Sequence, residues 1–205
     1  MLEAAAGDLA AALEQVEQAA SLYRWEDHHL VLAARLLFAR SRNQQALDKL
    51  RSFRGRYYAW GGTVYHVCRL KSDLGSGEPP KDCWELATQH TTVWARSSVA
   101  YRGDMTAFRA LCLIQLGDET EARRAIKWTL ALEPEREDVA YVAAATYSML
   151  GDSDTALRWL RAAVDRGHQE LWWARVDPDL DPLRDDARFK RIMQDWNTHL
   201  RDLFE

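Results

Sequence analysis

The sequence predicts an all-α protein built as an array of antiparallel helix hairpins, and three observations carry that prediction. A turn-and-helix pattern recurs at a fixed interval: Gly117-Asp118 is followed by Ala122 and Ile126, and Gly151-Asp152 by Ala156 and Leu160, so Gly117 to Gly151 and Ala122 to Ala156 are each one 34-residue step. Only 5 Pro and 10 Gly occur in 205 residues, which leaves long stretches free for helix. Apolar residues fall at helical spacing, as in Cys83, Trp84, Leu86, Ala87, Val93 and Trp94, which predicts a helix over 81–97.

The interval has a mechanical reason. Glycine at the turn permits the positive φ that ends the first helix of a hairpin. Alanine at the crossing point lets two helix axes approach, and a larger aliphatic residue one turn later fills the groove between them. Neither helix pair hides its apolar face alone, so neighbours must stack.

The same grid runs toward the N-terminus, where Ala12, Leu13, Val16 and Ala19 recur as Ala46, Leu47, Leu50 and Phe53, and Gly7 recurs as Ser41 and then Gly75. The pattern stretches at Gly75 to Pro80, where GSGEPP lengthens the turn and Pro79-Pro80 opens the next helix at its first turn. Gly7-Asp8 stands where the turn inside a hairpin belongs, so helix 8–21 reads as a second helix without a first. Either a first helix lies upstream of this sequence or helix 8–21 is a natural cap; we favour the former. At the far end, Asp186 is placed to cap a last helix whose stripe of Phe189, Ile192, Met193 and Trp196 docks on the array.

A 34-residue interval is the period of the tetratricopeptide family, and the chain resembles that family over most of its length. The likeness is strongest over 103–170 and weakest between 55 and 100. The tail ELWWARVDPDLDPLRDDARFKRIMQDW is similar to the closing segment of repeat domains attached to bacterial protein kinases, nucleotide cyclases and transcriptional regulators, with Ala187 where that motif usually has proline. The resemblance implies a right-handed superhelix of about nine or ten helices in four to five units. The division it gives is 1–26 an orphan or capping helix, 27–60 a repeat, 61–102 a degenerate repeat with an extended turn, 103–136 and 137–170 two repeats, and 171–205 a C-terminal capping segment.

The resemblance also implies a binding surface. In this family the first helices of successive repeats line a concave groove, and the ninth position of each repeat points into it. Arg35 and Arg69 fall at that position, with His28 and Tyr65 at neighbouring groove positions and Tyr141 and Met149 in a later repeat. Two guanidinium groups suit a carboxylate, an acidic peptide segment or a phosphate. The asparagines of the chaperone-tail clamp found in some members are absent, which sets that particular ligand aside.

Other chemistry is poorly supported. His66 and Cys68 form an HxC pair, but no second short-spaced pair completes a zinc site, so no metal and no other cofactor is expected. Asp177, Asp179 and Asp181 resemble the start of a calcium loop, yet Pro182 and Arg188 stand where that loop needs Gly and Glu; helix capping accounts for these aspartates. No GxSxG, HExxH, GxxxxGK[ST] or GxGxxG motif occurs, so no catalytic residue is assigned and the chain reads as a scaffold rather than an enzyme. The run RSFRGRYYAW, Arg51 to Trp60, has the residues to meet phosphates and stack on bases, but the net charge of -4 disfavours nucleic acid.

Cys68, Cys83 and Cys112, odd in number and widely spaced, read as reduced thiols. The opening residues include Glu3, Asp8, Glu14 and Glu17 and lack a secretory pattern, and no window reaches the ~20 apolar residues of a membrane span. A cytoplasmic setting is therefore expected. The function that follows is a protein-interaction module whose groove accepts a peptide or helix of a partner; the alternative is the regulatory or sensor portion of a larger bacterial signalling protein.

Overall fold

The computed structural model describes residues 8–22, 27–51, 53, 61–74, 81–97 and 102–204. Among them lie α1 (Leu9–Leu22), α2 (Asp27–Ala39), α3 (Asn43–Arg51), α4 (Gly61–Asp73), α5 (Lys81–Ser97), α6 (Arg102–Gln115), α7 (Glu119–Leu132), α8 (Glu137–Met149), α9 (Ser153–Asp165), the single turn α10 (Leu171–Ala174), a 3-10 helix (Pro178–Leu183) and α11 (Ala187–Phe204). Ten of these helices have nine residues or more, as an all-α array of four to five hairpins requires. Gly7, most of the Arg51 to Trp60 stretch and all of Gly75 to Pro80 lie outside the described residues.

Consecutive helices pack pairwise in the manner of tetratricopeptide hairpins: α2 on α3, α4 on α5, α6 on α7 and α8 on α9. Ala46, Ala122 and Ala156, on the second helices of three of these pairs, and Ala12 on α1 are all essentially inaccessible to solvent, as the expected crossing positions require. The first helices of successive hairpins also lie side by side, α2 against α4, α4 against α6 and α6 against α8. That second set of contacts builds a continuous wall.

Four helices end in one stereochemical device. Ser41, Gly117, Gly151 and Gly167 take φ of 57°, 81°, 73° and 89°. In each case the following residue donates its N–H back across the last turn, Arg42 to Leu37, Asp118 to Leu113, Asp152 to Tyr147 and His168 to Ala163, at 2.9–3.0 Å. Asp118 and Asp152 then accept from Glu121 N–H and Thr155 N–H, capping α7 and α9. The Gly-Asp dipeptide thus closes one helix and opens the next.

One expectation is corrected. Cys68 on α4 and Cys83 on α5 form a disulfide with Cα atoms 5.8 Å apart, so only the buried Cys112 is a free thiol. A separation of 15 residues in sequence becomes contact in space when the residues sit on the facing sides of one helix hairpin. Disulfides persist chiefly in oxidising compartments, so the bond weighs against a cytoplasmic setting. Among the described residues, no helix is long and apolar enough to cross a membrane.

The C-terminal segment divides in two. Helix α11 packs on α9 with Phe189, Ile192 and Trp196 buried and Asp186 accepting from Arg188 N–H at its start. Residues 170–183 instead pass across the wall of first helices, with α10 against α2 and the 3-10 helix against α8.

Candidate functional site

The wall formed by α2, α4, α6 and α8 carries the positions that the family resemblance assigns to a partner-binding groove, and residues 170–183 of the same chain lie on it. Four of the six predicted groove residues bond to that segment. Arg35 Nη2 is 2.7 Å from Glu170 Oε2. Tyr65 donates its hydroxyl to Asp179 Oδ2 at 2.6 Å, and Arg69 Nε sits 2.8 Å from Asp179 Oδ1. Tyr141 donates to Asp177 Oδ2 at 2.7 Å.

Each contact is supported from behind. The Arg35 guanidinium carbon lies 4.3 Å from the centre of the Trp173 ring and 5.1 Å from that of Trp172, so its cation rests on aromatic faces while its charge meets Glu170. Arg69 also approaches Asp73 one turn along its own helix, at 3.5 Å. Its contact with Asp179 is a close ion pair rather than an aligned hydrogen bond. Tyr141 stacks on His168 with ring centres 4.6 Å apart. Arg184 holds the segment's backbone from outside, donating to the carbonyls of Arg175 at 2.7 Å and Asp177 at 2.9 Å.

Burial governs the electrostatics. Asp177 and Asp179 are almost fully enclosed. Desolvation, reinforced by the neighbouring Asp179 charge, pushes Asp177 up to about 7. Asp179 is also raised by burial, against the opposing pull of Arg69 and the Tyr65 hydroxyl. Both tyrosines are raised well above their ordinary value, first by burial and then by the aspartate each one faces. Two carboxylates enter this groove only because the wall supplies a donor to each.

The remaining predicted residues divide. His28 is exposed and lines the mouth of a cavity beneath the segment. Met149, at the C-terminal end of α8, packs partly buried against the core and is not brought to the others. The pattern of alternating proline and aspartate is also reassigned. Asp177 does cap the 3-10 helix, accepting from Asp179 N–H at 3.0 Å, but its second oxygen and the whole of Asp179 serve the groove. Capping alone does not account for these aspartates.

The cavity has a volume of about 340 Å³. Sequence reasoning missed several of its lining residues, among them His66, Asp104, His168, Glu170 and Trp173. Asp104 and Asp138 hold equivalent places one 34-residue step apart at the starts of α6 and α8, a signal the repeat grid contained. Asp104 is pushed up to about 6, chiefly by burial, although Arg136 approaches it at 3.0 Å. His66 is held well below the ordinary histidine range by burial and by the nearby Arg35 charge, and so is neutral. Among the described residues, no group of three or more His, Cys, Asp or Glu is placed to hold a metal ion.

A solved structure described as the crystal structure of MamA is similar over 80% of this chain and 91% of that chain, at 15% identity and a TM-score of 0.40, an overlap too loose to carry a functional meaning. No protein-family model and no curated protein matches the chain.

Proposed function

We propose that this chain is a protein-interaction module of tetratricopeptide type, whose groove receives an acidic, tryptophan-bearing segment, and that residues 170–183 occupy the groove in place of a partner's segment. One observation carries the reading. Arg35, Tyr65, Arg69 and Tyr141, from three of the four first helices (α2, α4 and α8), each meet a carboxylate of Glu170, Asp177 or Asp179. A groove of this kind reads an extended peptide through a few anchored side chains, and here the anchors are three carboxylates and the Trp173 ring.

The same observation favours a second reading, a regulatory portion of a larger bacterial signalling protein. A groove filled from within is a two-state element, and a partner with higher affinity for the open state shifts its population. The two readings share the groove and differ in what the release of residues 170–183 accomplishes.

The test supplies the segment in trans. A fluorescein-labelled peptide of residues 170–183 is titrated against the wild-type chain and against a Glu170→Gln/Asp179→Asn chain, in which the internal segment is weakened at Arg35 and at Arg69 and the four anchors are intact. The expected result is saturable binding to the variant at least tenfold tighter than to wild type, lost when Glu170 and Asp179 of the peptide are replaced by their amides. Equal binding of the acidic and amide peptides, or no binding to either chain, overturns the reading.

A further inference from the structure

We propose that the cavity between the concave wall and residues 170–179 is a binding site for a small organic amine that also carries a neutral hydrogen-bond acceptor. This goes beyond the partner-binding reading and stands apart from it, because it rests on the cavity beneath the segment and not on the segment's release.

The first argument is unmet hydrogen-bonding capacity. Buried polar atoms in folded proteins are nearly always paired. Yet Arg35 Nε, His66 Nδ1 and His168 Nε2 all lack a partner among the described residues, and all three side chains line this one cavity. Arg35 and His168 are more than nine-tenths buried. The three atoms themselves are closed to solvent, so a ligand in the shared space of about 340 Å³, within the size range of small-molecule pockets, completes their bonding when the imidazole or guanidinium group turns toward it.

The second argument fixes the chemistry. His168 Nδ1 lies 3.4 Å from Asp138 Oδ1, so its N–H faces that carboxylate and Nε2 is left as an acceptor. That atom requires a donor from the ligand. Arg35 Nε, in contrast, can only donate, so the ligand must also present an acceptor. The Arg35 charge is already matched by Glu170, which makes a neutral carbonyl or hydroxyl a better acceptor there than a carboxylate.

Charge gives the sign of the donor. Asp104, Asp138, Glu170, Asp177 and Asp179 line the cavity. Against these five carboxylates stand three arginines, Arg35 on Glu170, Arg69 on Asp179 and Arg136 on both Asp104 and Asp138. Asp104, Asp138, Glu170 and Asp179 outnumber the three guanidinium groups even when Asp177, raised to about 7, holds its proton, so the balance is negative and a positive charge is wanting. An ammonium group supplies that charge and the donor together. Phe108, Tyr65 and Tyr141 give the wall aromatic faces suited to a cation and to an apolar body.

The test is calorimetric titration of the full chain with a matched series. Phenylalaninamide carries the amine, the carbonyl and an aromatic body; 3-phenylpropanamide lacks only the amine; 3-phenylpropanoate carries the opposite charge. The expected result is saturable binding of phenylalaninamide, at least tenfold weaker binding of 3-phenylpropanamide and none of 3-phenylpropanoate. Asp104→Asn is expected to weaken phenylalaninamide at least tenfold and to leave 3-phenylpropanamide unchanged. Equal affinity for the two amides, preference for the carboxylate, or no binding in the whole series overturns the proposal, and the wild-type series decides this even where the variant fails to fold.

Discussion

Tyr65 and Asp179 stand 114 residues apart in sequence and share a 2.6 Å hydrogen bond in the floor of the groove. The bond joins the second hairpin's wall to the C-terminal segment, and its acceptor is shared with Arg69. A hydrogen bond to a buried charge contributes about 1.5–3 kcal/mol, and contacting residues couple non-additively. Tyr65→Phe and Asp179→Asn are therefore expected to show a coupling of about 1–2 kcal/mol in a double-mutant cycle read by urea unfolding. Simple additivity would mean that the two side chains do not meet in solution.

Asp177 gives the groove a pH signature of definite sign. Its folded value of about 7 lies above the ~3.9 of an unfolded aspartate. The folded state therefore binds its proton more tightly, and the penalty for ionising Asp177 grows as pH rises from about 4 through 7. His66, held low, acts in the opposite direction below about 6.5, so the comparison is best made against a variant. Asp177→Asn keeps an acceptor for Asp179 N–H and removes the charge. It is expected to be more stable than wild type at pH 8 by upwards of about 1 kcal/mol, with the difference vanishing near pH 4. A stability difference independent of pH contradicts the assignment.

The Cys68–Cys83 bond closes a short loop across one hairpin. In the chain-entropy account a loop of about 15 residues is worth about 3 kcal/mol. Cys68→Ser/Cys83→Ser is expected to lower the unfolding free energy by about 2–3 kcal/mol while leaving helical circular dichroism unchanged. Alkylation of three thiols in the denatured, unreduced chain would show that the bond does not form.

The helix-closing residues make opposite predictions at equivalent places. A methyl group added at Gly151 meets nothing within 4 Å, so Gly151→Ala tests backbone conformation alone and is expected to cost about 1 kcal/mol. Ser41 already bears that cost at a φ of 57°, and Ser41→Gly is expected to raise stability by about 0.5–1 kcal/mol. Thermal unfolding of the two variants beside wild type checks both signs.

These cases also show which parts of the molecule were legible in the sequence. The repeat interval located Ala122, Ala156, Gly117 and Gly151, because a hairpin turn and a helix crossing impose local demands on residue type. The family resemblance, not the interval itself, assigned Arg35, Tyr65, Arg69 and Tyr141 to positions on the groove wall, and all four bond to residues 170–183. What covers that wall was not legible, since Asp177 and Asp179 satisfy a local capping pattern equally well and their bonds to Tyr141 and Tyr65 are set by tertiary return of the chain. The cysteine pairing was missed for a related reason. Linear spacing reports distance along one helix, whereas Cys68 and Cys83 meet across two.

The occupied groove is the claim on which the account rests, and native-state hydrogen exchange read by mass spectrometry tests it most directly. Wild-type chain is compared with Arg35→Met/Arg69→Met, which removes two anchors and keeps much of their bulk. The account predicts that amides of residues 170–183 are protected in wild type and lose at least tenfold of that protection in the variant, while those of α8 and α9 are unchanged. Free exchange of residues 170–183 in the wild-type chain would contradict it.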